Sequence, residues 1–352
     1  MTKARKLRVG IVGTGGIARS CHIPGWQALE GAEIRAVCDV NPENAQKAGE
    51  LSGAPHVLTD FRKLVSMKEI DAVDVCTPNK IHTPVVLAAL RAGKHVMCEK
   101  PLAVTVKEVR QMAALAKKKR RKLMTAQHMR FTGIGRAMKK FVDAGELGEP
   151  YHAVVHALRR NLLPAWGVFI DQKFSGGGPC MDVGVHVLDL CMWLMGCPKP
   201  VRVSGSAKVN FAKGHDIPGA WGEWDRKRFS VEDWASGFAV FENGATLSLE
   251  SSWLGHHAAK ADMSCQIYGK RATLAYPSGQ YAAHRNGAFV SGTIEPAKEK
   301  TKAHSAEIAA FFDCIVNNKP SPVPVEETIR VIAILDGIYQ SEKLGREVRV
   351  RL

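Results

Sequence analysis

From Leu7 to Ala18 the chain reads LRVGIVGTGGIA, a run of branched apolar residues that ends in a cluster of glycines. Few local patterns restrict a fold as tightly. The run reads as a buried strand. Gly13-Thr14-Gly15-Gly16-Ile17-Ala18 fits GxGxxA, the turn that carries a strand into a helix against a dinucleotide. Gly13 permits the tight turn, Gly15 lets the backbone approach a pyrophosphate, and Ala18 allows close helix–strand packing. The helix start then offers free N–H groups and a positive dipole end to the phosphates. A second strand, from Glu33 to Val40, carries Asp39 at the downstream distance the fingerprint requires. A carboxylate there either accepts hydrogen bonds from ribose hydroxyls or is a surface or helix-capping acid. The first reading favours NAD over NADP, because a carboxylate repels a 2′-phosphate.

Strand and helix patterns keep alternating. HVLTD from His56, Asp71 to Thr77, Lys94 to Cys98 and a run from Leu123 read as further strands. Between them lie helical patterns, one opened by Asn41-Pro42 and another closed by Gly93. Such alternation means α/β architecture, a doubly wound parallel sheet with helices on both faces. From Tyr151 the pattern changes to longer strands with two-residue alternation, and Asn243-Gly244 marks a tight hairpin. This predicts an α+β domain around an open, mostly antiparallel sheet. A helix from Val183 to Met195 is expected to precede that sheet. Two more helical segments, near Ser305 to Asn317 and Val325 to Leu344, close the chain. With 352 residues, more than one core usually serves, the expectation is a dinucleotide-binding domain over 1–130 and a substrate and oligomerisation domain over 131–352. The terminal helices are free to pack back on the first domain.

Composition narrows the function classes. The nine cysteines are scattered without a CxxC pair, so neither a disulfide framework nor a zinc site is expected, and a reducing cytoplasm fits. No secretory signal and no bilayer-spanning apolar run is read. The formal net charge of +15 is partly local, in KKKRRK from Lys117 to Lys122. That run is either a solvated helix end or a nucleic-acid patch, and no interleaved aromatic residue or recognition motif supports the patch. A general positive field also suits an anionic substrate.

Three places carry chemistry. Thr77, Pro78, Asn79 and His82 end the fourth strand, where an open α/β sheet binds ligands; Asn79 also suits a helix cap in a Pro-Asn turn. In HVMCEKPLA, Glu99-Lys100-Pro101 ends the fifth strand on the same edge. A lysine there is either an ordinary surface cation or a group that stabilises an alkoxide, with Glu99 contacting ribose or holding it. In SGGGPCMDVGVHVLDL, Asp182 and His186 stand four apart, which puts them on one helix face, behind the approach of Gly176, Gly177 and Gly178. That run reads as flexible. The pair suits a general base and its partner; a metal site lacks a third ligand of fitting spacing, and a satisfied core histidine is the bland alternative.

Together, GTGGIA, CDVNPENA, CTPNKIHTP, HVMCEKPLA, SGGGPCMDVGVHVLDL and VEDWASGFAVFENGATLSLESSW resemble the Gfo/Idh/MocA family, the group of glucose–fructose oxidoreductase and inositol dehydrogenase, over nearly the whole chain. The resemblance implies an N-terminal Rossmann domain that holds NAD and a C-terminal domain whose open sheet serves substrate binding and oligomer contact. It implies that Lys100, Asp182 and His186 are catalytic, with a cis bond before Pro101. It places His128 near the nicotinamide and Arg130 near the substrate. Trp166 is a candidate pocket wall and Arg160, with Arg159, a candidate receiver of an anionic group. Trp221 and Trp224, in the long stretch 211–233, suit a sugar platform, core packing or an interface. The implied activity is hydride transfer between nicotinamide and a secondary alcohol of a sugar, sugar derivative or cyclitol, in a homodimer or homotetramer with no nucleic acid, membrane or metal partner. Two other readings are a glycoside hydrolase that oxidises transiently through retained NAD, and a non-catalytic dinucleotide sensor.

Overall fold

Six short parallel strands form the first sheet: β1 (Leu7–Val12), β2 (Ala32–Cys38), β3 (His56–Leu58), β4 (Ala72–Val75), β5 (His95–Cys98) and β6 (Leu123–Thr125). The computed structural model describes residues 5–299 and 301–352. The strand order is β3-β2-β1-β4-β5-β6, so the chain reverses its direction of winding between β1 and β4. Both faces are covered, which is why Val9, Ile11, Val73, Val75 and Met97 are fully buried and the strands read as continuous apolar runs. Local chemistry sets the helix ends as expected. The Asn41 side chain accepts from Glu43 N and Asn44 N, Pro42 starts the helix Pro42–Ser52, and Gly53 closes it at φ +67°. Lys117, Lys118 and Lys119 lie in the last turn of Val106–Lys119, beside its carbonyl end, so the basic run is a helix C-terminus.

The chain divides into two units. The first takes the chain through Ala103, Lys107–Phe131 and a stretch ending at Thr328; the second takes Val104–Val106, Thr132–Glu299 and Ile329–Leu352. The helix Ala303–Val316 thus belongs to the first unit. Its Ile308 and Phe311 are buried in one cluster with Ile23 and Trp26, and the Phe311 ring meets Trp26 edge-on with centroids 6.4 Å apart. Burying each of these side chains contributes about 1.5–3 kcal/mol.

The second unit is built on nine strands: β7 (Pro150–Arg159), β8 (Pro200–Lys208), β9 (Trp234–Phe241), β10 (Thr246–Ser252), β11 (Ala261–Gly269), β12 (Ala272–Tyr276), β13 (Gln280–Arg285), β14 (Ala288–Thr293) and β15 (Val348–Arg349). Their order is β14-β13-β12-β11-β7-β10-β9-β8-β15, antiparallel throughout except for the parallel pair β7–β10. Asn243-Gly244 makes the β9–β10 turn, with Gly244 at φ +83°. Ala153, Val155 and Ala157 of β7 face inward, toward the apolar helix Val185–Leu194. Their neighbours His152, Val154 and His156 face the open side.

Candidate active site

The glycine turn follows β1. Gly13 sits at φ +84°, and a Cβ there would stand 2.6 Å from the Cys76 carbonyl and Thr77 N, so only glycine fits between β1 and β4. A Cβ at Gly15 or Gly16 would meet nothing within 4 Å. The turn therefore faces open space at the point where winding reverses, the place such sheets bind dinucleotides. Ala18 is fully buried and Ile17 is 36% exposed at the rim. A π-turn, Ala18–His22, leads into the α-helix Ile23–Gln27.

Asp39 Oδ2 accepts from Thr14 N at 2.8 Å, and Oδ1 accepts from Asn41 N at 2.9 Å. It thus buckles the end of β2 to the glycine turn while its half-buried carboxylate stays at the sheet's edge. Across the switch point, the Thr77 hydroxyl is buried without a hydrogen-bond partner among the described residues. An open cradle at the glycines, an orphaned hydroxyl and an acid at the end of β2 fit a dinucleotide. Asn79 is the first residue of Asn79–Arg91 rather than its cap, which is Pro78. His82 differs from the expected pocket wall. It is fully buried, its ring nitrogens 2.8 Å from the carbonyl oxygens of Pro101 and Thr77, so it braces main chain that carries other residues.

The Lys100-Pro101 bond is cis, as the resemblance implied. Behind it lies a polar cluster absent from the sequence reading. His22 Nδ1 is 2.8 Å from Asp74 Oδ2 and Nε2 is 2.8 Å from Glu99 Oε1, all buried. Trp26 Nε1 donates to the same Asp74 oxygen, and Glu99 Oε2 accepts from Lys100 N at 3.0 Å. Burial opposes a charged ring, but the charge and hydrogen bond of Asp74 outweigh it and hold His22 well above its ordinary pKa. A doubly protonated ring donates to both carboxylates. Burial likewise opposes charge on Glu99, yet the hydrogen bond and charge of His22, with Lys100, bring it down to about 2. Donor atoms of His22, Asp74 and Cys76 lie within 4.8 Å of one another, the spacing a metal ion requires. Both His22 nitrogens are already committed to carboxylates, so proton bridges satisfy the cluster.

His128 stacks on His304 with centroids 4.2 Å apart, and burial with the His304 charge lowers its pKa to about 4, giving a neutral ring. Arg130 departs from the expected substrate contact. It is 2% exposed and paired with Glu327, so its guanidinium is consumed inside the first unit.

In the second unit, a π-turn over Cys180–Gly184 carries Asp182 into the helix Val185–Leu194 that carries His186. The Asp182 carboxylate is 9% exposed and accepts from Trp253 Nε1 at 3.1 Å. His186 and Trp193 are the residues that this helix leaves partly accessible; Asp189 is fully buried. The glycines before the turn are tightly packed rather than flexible. A Cβ at Gly178 would stand 2.1 Å from the Glu232 carbonyl oxygen, and one at Gly177 would stand 2.2 Å from the Tyr339 hydroxyl. The buried Glu232 carboxylate accepts from Gly178 N (2.9 Å), Cys180 N (3.1 Å) and the Tyr339 hydroxyl (2.7 Å). Burial raises its pKa against those three donors.

Arg160 also departs from expectation. Its guanidinium donates to the Ala258 carbonyl on the exposed side. Arg159 instead lies 3.8 Å from Asp182 Oδ2. Strand alternation explains this: Arg159 shares the inward parity of Ala153, Val155 and Ala157. Trp166 is 54% exposed, its ring 5.2 Å from that of Trp221, whereas Trp224 is buried and donates to the Ala212 carbonyl.

Residues 7–127 match the model of the oxidoreductase family with an NAD-binding Rossmann fold, and residues 136–275 match the Gfo/Idh/MocA C-terminal domain. The chain is 33% identical over 347 residues to D-glucoside 3-dehydrogenase of Escherichia coli, covering 98% of this chain and 97% of that one. It is 34% identical over 270 residues to 1,5-anhydro-D-fructose reductase of Ensifer adhaerens, 76% of this chain and 74% of that one. Among solved structures, the aldose-aldose oxidoreductase of Caulobacter crescentus superposes with a TM-score of 0.80 at 27% identity, over 98% of this chain and all of that one. Matched through both halves, and close to a curated relative along almost its whole length, the chain belongs to the Gfo/Idh/MocA family of oxidoreductases.

Proposed function

We propose that the protein is an NAD-dependent dehydrogenase acting on a secondary alcohol of a sugar, a sugar derivative or a cyclitol. The observation that carries this reading is the Asp182–His186 pair: an acid held by Trp253 on the turn, and a partly accessible imidazole four residues on, in an apolar helix whose other residues except Trp193 are buried. Relatives named for sugar dehydrogenation and sugar reduction support it.

When bound, NAD supplies the acceptor for the carbinol hydrogen and its electron pair. His186 takes the hydroxyl proton as general base. The Lys100 ammonium stabilises the oxygen as negative charge grows on it. Asp182 accepts from a neighbouring substrate hydroxyl and fixes the ring. In the reverse direction the same groups act as acids. The same reading assigns association of identical copies to the open face of the nine-stranded sheet, where Val154, Phe238 and Gln266 share one side.

A panel of sugars and cyclitols, assayed for NADH and NADPH formation, tests the reading. Lys100→Ala is expected to lower turnover about 100-fold or more, the scale of losing one oxyanion-stabilising group, with NAD binding largely retained. Unchanged turnover would remove Lys100 from the chemistry. Sugar release without NADH would move the protein to the hydrolase reading. Asp39→Ala is expected to raise KM for NAD about 10-fold or more, the equivalent of one charged hydrogen bond, and to narrow the preference over NADP. An unaltered NAD/NADP ratio of kcat/KM would reduce Asp39 to a brace for Thr14.

A further inference from the structure

Seven tryptophans are present in the chain, and most are buried or half-buried; Trp26, Trp224 and Trp253 are 1%, 5% and 0% exposed. Trp166 and Trp221 stand apart at 54% and 39%. They come from different loops, yet their rings meet with centroids 5.2 Å apart and planes inclined at 53°. The arrangement is anchored. Ala220 N donates to the Asn161 carbonyl, and the Asn161 amide donates to the Pro218 carbonyl, so the Trp221 segment is tied beside the end of β7. The Arg159 guanidinium lies 5.1 Å from the Trp221 ring centroid and, through Nη1, 3.8 Å from Asp182 Oδ2. Arg159 also donates to the Leu162 carbonyl, which fixes its plane.

One guanidinium therefore touches both the acid of the candidate site and the open pair of indoles. Two large apolar rings left in water beside a polar site are a ligand surface in wait. Their chemistry selects the ligand. The C–H faces of a pyranose, or an aryl ring, lie flat on indole, while hydroxyls at the rim reach the Arg159 cation.

Resting on the dehydrogenase reading, we infer that Trp166 and Trp221 form a second-ring subsite beside Asp182, and that the substrate is a glycoside whose aglycone or neighbouring sugar stacks there. A single free sugar would fill the Asp182 end only.

The test compares one-ring and two-ring substrates on the full-length enzyme. kcat/KM with NAD is measured for glucose, 1,5-anhydroglucitol, phenyl β-glucoside and cellobiose, on wild type, Trp166→Ala, Trp221→Ala, the double variant and Trp166→Phe. The two-ring to one-ring ratio is expected to favour two rings in wild type and to fall about 10-fold per indole removed, through KM. Trp166→Phe should restore most of it. Equal losses on both substrate kinds, no loss, or a change confined to the oligomeric mass would overturn the subsite. Titration of phenyl β-glucoside against intrinsic tryptophan fluorescence, without turnover, separates this inference from the reading beneath it. Binding that weakens in the double variant supports the subsite even if no sugar reduces NAD. Binding that does not weaken overturns the subsite even if free sugars are oxidised.

Discussion

His186→Asn is expected to lower kcat for NADH formation by about 100- to 10,000-fold, the contribution typical of one positioned general base. Asparagine keeps the polarity and approximate shape of the ring but accepts no proton. Except for Trp193 the rest of the helix that bears it is buried, with Val185, Val187, Leu188 and Leu190 carrying its packing, so the fold should survive the change. NAD affinity, measured by quenching or calorimetry, should stay within about two-fold, which isolates the chemical step. A variant retaining a tenth or more of wild-type kcat would show that another group takes the proton.

His22→Leu is expected to lower the unfolding free energy by about 3–5 kcal/mol, the range for removing one member of a buried ion network. The substitution leaves Glu99 Oε1 without its donor, and Asp74 Oδ2 with Trp26 Nε1 alone. The groups facing this ring are Asp74 and Cys76 from the β4 edge, Glu99 from β5, and Glu307 from the helix Ala303–Val316. Burial, then the Glu99 charge, pushes Glu307 well above the carboxylate range, so it stays neutral. In the wild type, the raised His22 pKa gives stability that is complete below the ordinary histidine value of 6.5 and is lost as pH rises through the folded value. Glu99 gives stability present above its ordinary 4.5 and lost as pH falls toward about 2. Both terms are whole between those ordinary values. Urea melts should therefore show the variant's largest deficit near pH 6, and a smaller one near pH 4, where the unpaired acids take up protons. A deficit below about 1 kcal/mol at pH 6, the scale of an ordinary exposed ion pair, would mean that the cluster is not an ion network.

Much of the first unit was legible because its signals are local. Gly13, Asn41, Pro42 and Gly53 each act within a turn of chain, and the period of the apolar pattern separated strands from helices. Asp182 and His186 were singled out by their i, i+4 spacing; the structure carries Asp182 on the turn Cys180–Gly184 and His186 on the helix that follows. The clusters that hold the site were not legible, because their partners lie far apart. His22 reaches across 52 residues to Asp74 and 77 to Glu99, and Gly178 across 54 to Glu232. A signal did exist: Asp74 is a charged residue in the fully buried strand AVDV, and such a residue requires a partner. Arg159 was also within reach. Counting alternation along β7 from Ala153 turns it inward and Arg160 outward, whereas adjacency alone treats the two alike. Arg130 failed for a different reason: Glu327, 197 residues on, had claimed it.

Next to Glu232 stands Asp233, whose buried carboxylate collects the main-chain N–H groups of Asn210, Phe211 and Ala212. Every one of those bonds ends on backbone, so the knot is indifferent to which side chains follow. The segment beyond it can lengthen, shorten or change its aromatic residues while its root stays tied and the neighbouring Glu232 holds the start of the turn that carries Asp182. Evolution, or an engineer, can thus exchange this segment as a cartridge while its main-chain root on Asp233 stays in place.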